Sequence, residues 1–170
     1  LTQLVTADRA FDTTSVPVGD LFSRQHITKL KGASYMFSLY KTDKPLDVTG
    51  IDLSEGGNFN GMFEAVQAPS FKFDFSNAKG SFAYAFSRLG MQIDTSKLPK
   101  PIYKPAGYDP SGSADNSFYE DMLSYNNSWW EVYQKSLDLS DYSTDNIGSS
   151  NILDNQSGVQ VIKTSTRTKL

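Results

Sequence analysis

The chain has a single histidine, His26, within the segment Arg24-Gln25-His26-Ile27. One histidine is enough for a serine-histidine-aspartate triad. However, no serine lies in the Gly-x-Ser-x-Gly turn that exposes a nucleophile at the end of a strand. We therefore interpret His26 as a structural or merely exposed residue and predict no catalytic residue around it.

Paired carboxylates offer a second route to catalysis, because two of them can flank and hydrolyse a glycosidic bond. Glu120 and Asp121 are adjacent, and on a helix they point about 100° apart and cannot flank one bond. Glu55 and Glu64 lie near the Gly56-Gly57 pair, so a glycosidase site there stays formally open. We interpret these carboxylates as surface groups, and the sequence predicts a protein that is not an enzyme.

The residues that most often hold metals and cofactors are scarce. Cysteine is absent, which excludes disulfides, thiolate nucleophiles and cysteine-based zinc sites. Asp138, Asp141 and Asp145 form an acidic group without the glycine and final glutamate of an EF-hand loop, so only a weak calcium site remains open. No glycine-rich phosphate motif is present. We predict no cofactor and no metal ion.

Composition limits the classes of partner. The net charge is −3, and the 16 Lys and Arg residues form no cluster of the kind that binds nucleic acid. No apolar window is long enough for a transmembrane helix, so no membrane contact is predicted. The chain begins with Leu1 and not Met, which we interpret as a processed product or a fragment of a longer polypeptide.

The elements that must position these residues begin with an N-terminal arm, residues 1–20, followed by a β domain at 21–98. The run from Gly32 to Tyr40 predicts a strand, with Tyr35, Phe37 and Leu39 on one face. Phe71–Phe75 and Phe82–Phe86 alternate aromatic residues with polar or small ones, and the 77–80 turn between them predicts an antiparallel hairpin. The sequence predicts no internal repeat.

Four prolines between Pro99 and Pro110 predict an extended linker at 99–116. Ser117 and Glu120 then match a capping box, and we predict an amphipathic helix over 117–138. Its apolar seam is expected to be an oligomer interface, and its members are Phe118, Met122, Tyr125, Trp129 and Val132. Trp129 and Trp130 could instead stack on a sugar. Residues 139–170 are predicted to be a polar linker with a last strand at Gly158–Lys163.

Two stretches resemble the N-terminal domain of the upper baseplate proteins (BppU-like) of siphophages that infect Gram-positive bacteria. The first stretch contains Tyr35 to Tyr40, a charged turn, and the motif Pro-Leu-Asp-Val-Thr-Gly at 45–50. The second is Phe73 to Phe86, with its Lys-Gly-x-aromatic run. Together they cover about residues 30 to 90. The segment 55–58 and the chain after Phe86 depart from the family pattern.

The resemblance implies an immunoglobulin-like antiparallel β-sandwich that docks to other baseplate proteins and oligomerises, in a trimer-like assembly, through helices that follow it. The expected function is a structural component of a phage tail baseplate or tail tip in the virion, supporting host adsorption. The alternative is a carbohydrate- or receptor-binding module of a phage tail or bacterial surface protein.

Overall fold

The computed structural model describes residues 1–99, 136–140 and 160–164. Regular elements within them are short. They are helix α1 (Leu21–Arg24), strands β1 (Leu46–Asp47) and β2 (Phe71–Lys72), a 3₁₀ turn (Thr95–Lys97), and strands β3 (Ser136–Leu139) and β4 (Val161–Thr164). The described chain is therefore low in helix, and its paired segments are short strands and isolated bridges. None of its helices is long and apolar enough to span a membrane.

The chain winds in coils, and one position in each coil bridges to the same position in the next. Thr6, Gly32, Asn58 and Ser81 are joined in this order by parallel bridges, at intervals of 26, 26 and 23 residues. A recurrence of this length is typical of solenoid proteins, in which each repeat contacts only its neighbours. The expectation that the sequence holds no internal repeat is therefore wrong.

Each bridging residue opens a nine-residue segment that we call an arc: arc 1 (6–14), arc 2 (32–40), arc 3 (58–66) and arc 4 (81–89). The N–H groups at positions 2, 4, 6 and 8 of one arc donate to carbonyls at positions 1, 3, 5 and 7 of the next. For example, the Phe37 N–H donates to the Met62 carbonyl at 2.8 Å, and the Phe63 N–H donates to the Ala85 carbonyl at 2.9 Å. This ladder holds the coils together.

The arcs are not ordinary strands, because their backbone alternates in handedness. Positions 4 and 8 of every arc have φ near +55 to +60°, as at Tyr35 (54°) and Leu39 (56°) in arc 2. The N–H at position 5 also donates to the carbonyl at position 2 within each arc, as from Met36 to Ala33 at 3.1 Å. Left-handed conformations are costly for residues other than glycine. The inter-arc ladder and the packing below must offset that cost.

Phenylalanines at position 6 form the centre of the core. We call this column the phenylalanine spine, and its members are Phe11, Phe37, Phe63 and Phe86. The first three rings stack face to face, with centroids 5.1 and 5.5 Å apart and planes within 9° of parallel. The fourth ring lies 5.6 Å from the third, tilted by 30°. Aromatic pairs in offset stacks stabilise the fold beyond the area that they bury.

A second column of segments faces the arcs across this core. Strands β1 and β2 pair in parallel, with Leu46 opposite Phe71, and β3 pairs in parallel with β4 at Ser136 and Val161. Strand β3 also packs on the 3₁₀ turn, where the Asp138 N–H donates to the Thr95 hydroxyl at 3.1 Å, and Leu137 is buried in the core. The column thus continues beyond the 3₁₀ turn to β3 and then β4.

The predicted hairpin is wrong, because its two segments do not pair with each other. Phe71–Lys72 pairs with Leu46–Asp47, and arc 4 pairs with arc 3. Every strand pair and bridge of the described residues is parallel, so the antiparallel immunoglobulin-like arrangement is not found in them.

The predicted face of the 32–40 segment is also wrong. Tyr35, Phe37 and Leu39 do not share a side, because Phe37 is fully buried and Leu39 is 51% exposed. The alternating handedness instead turns positions 2, 5, 6 and 9 inward, which are Ala33, Met36, Phe37 and Tyr40 in arc 2.

Two further predictions fall on residues whose positions can be stated. Residues 6–14, which the sequence places in an N-terminal arm, form arc 1 and pair with arc 2. Of the predicted helix 117–138, the last three residues lie in β3 and the others lie outside the described residues. Strand β4 (Val161–Thr164) overlaps the last strand predicted at Gly158–Lys163.

Candidate interaction surface

The left-handed positions of the arcs form two rows on the side away from the phenylalanine spine, although Gly61 and Ala65 within these rows are buried. Position 4 supplies Arg9, Tyr35, Gly61 and Tyr84, and position 8 supplies Thr13, Leu39, Ala65 and Arg88. Tyr84 is 41% exposed and Leu39 is 51% exposed. Neighbouring strands lie about 4.8 Å apart, so each row has one position per coil at that spacing. We call these rows the outer face.

A cation and a ring are stacked at one end of the outer face. The Arg9 guanidinium lies 4.7 Å from the centre of the Tyr35 ring, in a cation–π arrangement. The ring extends over Gly61 in arc 3, where a side-chain carbon would overlap it. Gly61 is thus required by the close approach of Tyr35. Together these residues make a flat, partly aromatic platform across three coils.

At the other end, Arg88 of arc 4 forms an ion pair with Glu64 of arc 3. Both side chains are mostly covered, at 28% and 17% exposure, so this pair is less screened than a surface one. Glu64 is one of the two carboxylates for which the sequence keeps a glycosidase site open. Its pairing with Arg88 gives it a structural role between coils.

The second column repeats the tripeptide Asp-x-Ser/Thr. In each copy a carboxylate oxygen accepts the N–H and the hydroxyl of the residue two positions later, as when Asp74 accepts the Ser76 hydroxyl at 2.7 Å. The same pair of bonds occurs at three other aspartates, Asp47, Asp94 and Asp138. Such turns hold the backbone where the chain leaves the column.

Lysines from the next coil pair with three of these aspartates. The Nζ–Oδ2 distances are 3.8 Å for Lys72–Asp47, 3.0 Å for Lys97–Asp74 and 3.1 Å for Lys163–Asp138. The Ser76 hydroxyl, followed by Lys97, lowers the pKa of Asp74. Hydrogen bonds from Ser140, followed by the one from Lys163, lower the pKa of Asp138 to about 2.

For Asp47, partial burial acts to raise the pKa, but the bonds from Thr49 and the charge of Lys72 outweigh it, and the pKa is lowered. The shifts therefore arise from turns and ladder contacts. The tripeptide recurs in the sequence at 47, 74, 94 and 138, and this recurrence is the signal by which the turns could be predicted.

The candidate residues of the sequence analysis do not converge. His26 is exposed beside the buried Ile27, and Glu55 lies in a shallow groove with Lys29, Lys31 and Asp52. Among the described residues, no three potential metal ligands cluster. Asp141, Asp145 and all five residues of the predicted oligomer interface, Phe118, Met122, Tyr125, Trp129 and Val132, lie outside the described residues.

Comparison with known proteins adds no relative. No protein-family model matches the chain, and no curated protein or solved structure matches it either. The outer face and the turn column are therefore interpreted from their own chemistry.

Proposed function

We propose that this chain is a non-enzymatic repeat scaffold that acts by presenting its outer face to a partner macromolecule. The observation that supports the proposal is the recurrence of left-handed positions at one place per coil in each row, which puts Arg9, Leu39 and Tyr84 at the surface above a core shared by all arcs. Solenoids use such extended surfaces for binding. The surface combines a cation on an aromatic ring with the exposed Leu39, a mixture that is common at protein interfaces.

The partner class that we propose is a neighbouring protein of a phage tail baseplate or tail tip, in an assembly that supports host adsorption. This choice of partner rests on the sequence resemblance alone. The immunoglobulin-like topology that the resemblance implies rests on it as well, and the described strand pairs are parallel. The parallel coils supply a different scaffold for the same role, because a rigid stack can dock to several neighbours along its length.

A photo-activated cross-linking residue at Leu39 tests this proposal in purified virions. We expect the Leu39 position to form an adduct with a second virion protein, because its side chain is 51% exposed on the outer face. The same cross-linker at Lys79, which is exposed but lies outside the arcs, is the matched control and is expected to form none. Absence of the chain from purified virions, or equal adducts at both positions, contradicts the proposal.

A second candidate is a carbohydrate- or receptor-binding module, and the observation that favours it is the pair Tyr35 and Tyr84. Both occupy position 4, two coils apart, so their backbones are about 10 Å from each other. Tyr84 is exposed and Tyr35 is partly buried, and two rings at such a spacing could cover two sugar units. Binding to a glycan array that is lost in Tyr84→Ala and kept in Lys79→Ala would favour this candidate over the first.

A further inference from the structure

The sequence contains one asparagine that is followed directly by glycine, the pair Asn60-Gly61 in arc 3. Such a pair is prone to spontaneous deamidation, because glycine has no side chain to shield its N–H and leaves the backbone free to turn. The Gly61 nitrogen loses its proton and bonds to Cγ of Asn60, the side-chain nitrogen leaves as ammonia, and a succinimide ring forms. Water then opens the ring to aspartate or, mainly, to isoaspartate, whose main chain runs through the former side chain.

Arc 4 holds both reacting groups of this pair. The Gly61 N–H, whose nitrogen is the attacking atom, donates to the Ala83 carbonyl at 2.7 Å. The attacked amide is held through Asn60 Oδ1, which accepts the Ala83 N–H at 3.0 Å and also the Ser81 hydroxyl. The two groups are therefore tied separately to arc 4 and cannot turn toward each other while these bonds are closed.

Arc 2 fixes the same peptide from the other side. The Tyr35 N–H donates to the Asn60 carbonyl at 2.9 Å. The Tyr35 ring occupies the space where a side chain on Gly61 would lie, and Gly61 is buried. Because the peptide is bonded to arcs on both sides and covered by a ring, neither the turn that cyclisation requires nor the entry of water is possible in the closed ladder.

A side chain at position 3 ties neighbouring arcs at another place in the stack. In arc 1 the Asp8 Oδ1 accepts the Ser34 N–H at 2.8 Å, just as Asn60 accepts the Ala83 N–H. A carboxylate therefore fits this position, and an aspartate product would keep the tie. An isoaspartate product instead adds one atom to the main chain, which moves the later positions of arc 3 out of register with arc 4.

We propose that Asn60 is a modification site that reacts only when the contact between arcs 3 and 4 opens. The closed ladder protects it, each opening exposes it to deamidation, and an isoaspartate then prevents arc 3 from closing on arc 4 again. The modification also displaces Gly61 from beneath the Tyr35 ring. The platform on the outer face is therefore lost together with the ladder.

Incubation of the full chain at mildly alkaline pH, in buffer and in guanidinium chloride, tests the protection. Mass spectrometry of the digested chain measures the replacement of each amide by a carboxyl group. We expect Asn60 to react at least about a hundredfold more slowly in the folded chain, because segments of the core open rarely. Asn77 is the internal control, since it is exposed and precedes alanine, and its rate should differ far less between the two conditions.

Two variants test whether a local opening is responsible. Phe86 belongs to arc 4, whereas Phe22 packs on the rings of Phe11 and Phe37, and both Phe86 and Phe22 are at most 1% exposed. Each coil interacts mainly with its neighbours, so Phe86→Ala should raise the rate at Asn60 in the folded chain by about tenfold or more, and Phe22→Ala should raise it much less. Far-UV circular dichroism verifies that each variant is folded.

Refolding of the modified chain tests the consequence. Chromatography separates the isoaspartate form, and hydrogen exchange after removal of the denaturant measures which N–H groups are protected. We expect protection at Ala7 and Phe11, which donate to arc 2, but not at Gly61 and Phe63, which donate to arc 4. Asn60→Asp is the matched control, because it has the same added charge on an unchanged main chain, and it should protect all four.

Three outcomes overturn the proposal. The first is an equal rate at Asn60 in the folded and the unfolded wild-type chain. The second is an equal acceleration by Phe86→Ala and Phe22→Ala in folded variants. The third is an isoaspartate form that recovers the wild-type protection at Gly61 and Phe63.

Discussion

At the scale of single residues, the phenylalanine spine concentrates the packing of four coils into one column. Phe63 is its centre, since its ring contacts Phe37 and Phe86 in the spine and Phe71 and Phe75 in the second column, with centroids between 4.9 and 5.7 Å. Because the Phe63 ring contacts both columns, movement of one neighbouring side chain would not fill the space that the ring occupies.

We expect Phe63→Ala to lower the free energy of unfolding by about 3–5 kcal/mol, because it removes buried apolar surface and leaves a cavity. Leu39→Ala, at an exposed position one arc away, should change it by about 0.5 kcal/mol or less. Urea unfolding followed by circular dichroism measures both. An equal loss of unfolding free energy in Phe63→Ala and Leu39→Ala would contradict the burial of Phe63 and the exposure of Leu39.

Two glycines with positive φ differ in what surrounds them. A side-chain carbon at Gly80 (φ +114°) would overlap the Gly57 carbonyl, since these residues hold the same corner in successive coils, but one at Gly19 (φ +53°) would meet nothing within 4 Å. We predict a cost of about 3 kcal/mol or more for Gly80→Ala. Gly19→Ala should cost only about 1 kcal/mol, the strain of a left-handed alanine. Thermal or urea unfolding measures the loss of stability in each variant. Similar losses in Gly80→Ala and Gly19→Ala would contradict the close approach of Gly80 to Gly57.

At the scale of elements, the arcs hold residues other than glycine in the left-handed region. Thr13 (φ 56°) is exposed, and Ser15 is also exposed but has no positive φ. Thr13→Gly should therefore leave stability unchanged or raise it by about 1 kcal/mol, because it relieves backbone strain. Ser15→Gly should lower it by several tenths of a kcal/mol through chain entropy. A destabilising Thr13→Gly would count against the alternating arc.

The turns of the second column predict a dependence on pH. The folded-state pKa of Asp74 is lowered, first by the Ser76 hydroxyl. Its contribution is therefore present above the ordinary aspartate pKa of 3.8 and is lost as pH falls through the lowered value. Ser76→Ala should reduce the free energy of unfolding at neutral pH, and the difference from wild type should shrink in acid. Ser70→Ala, at an exposed site outside these turns, is the control and should show no such trend.

The sequence predicted correctly that the described part of the chain is low in helix and contains strands, but not how its segments pair. Residues 33, 36, 37 and 40 have a spacing close to that of a helix face, whereas the aromatics at 35, 37 and 39 suggest a strand. Neither pattern describes a backbone that alternates in handedness. Local periodicity therefore assigned Tyr35 and Leu39 to the wrong side.

The repeat could have been found by comparing the chain with itself. Buried residues recur at the same spacing at 33, 36, 37 and 40, at 59, 62, 63 and 66, and at 82, 85, 86 and 89. The recurrence has no single period in the sequence, because the interval between successive arcs shortens from 26 to 23 residues. Its residue types also vary at all positions except the phenylalanine. The outward rows were not predictable without the fold, because their exposure depends on handedness.

At the scale of the whole molecule, each coil interacts mainly with its neighbours, so one coil should be removable. Deletion of residues 58–80 joins Gly57 to Ser81 and lets arc 2 stack on arc 4, with Phe37 against Phe86. We expect this variant to stay folded with a reduced stability. Deletion of 58–68 removes arc 3 without its return segment and should abolish cooperative unfolding. A 58–80 deletion that unfolds, together with a 58–68 deletion that stays cooperatively folded, would contradict a modular stack.

The parallel stacking of coils is the central claim, and one cross-link tests it most directly. Asp47 and Lys72 are opposite each other in the β1–β2 pair, and the native chain has no cysteine to interfere. Adjacent strands lie about 4.8 Å apart, within the Cα separation that a disulfide requires. The double variant Asp47→Cys with Lys72→Cys should form an intramolecular disulfide on mild oxidation, whereas Asp47→Cys with Lys79→Cys should not. A failure of the first pair to close in a folded chain, or equal closure of both pairs, would contradict the account.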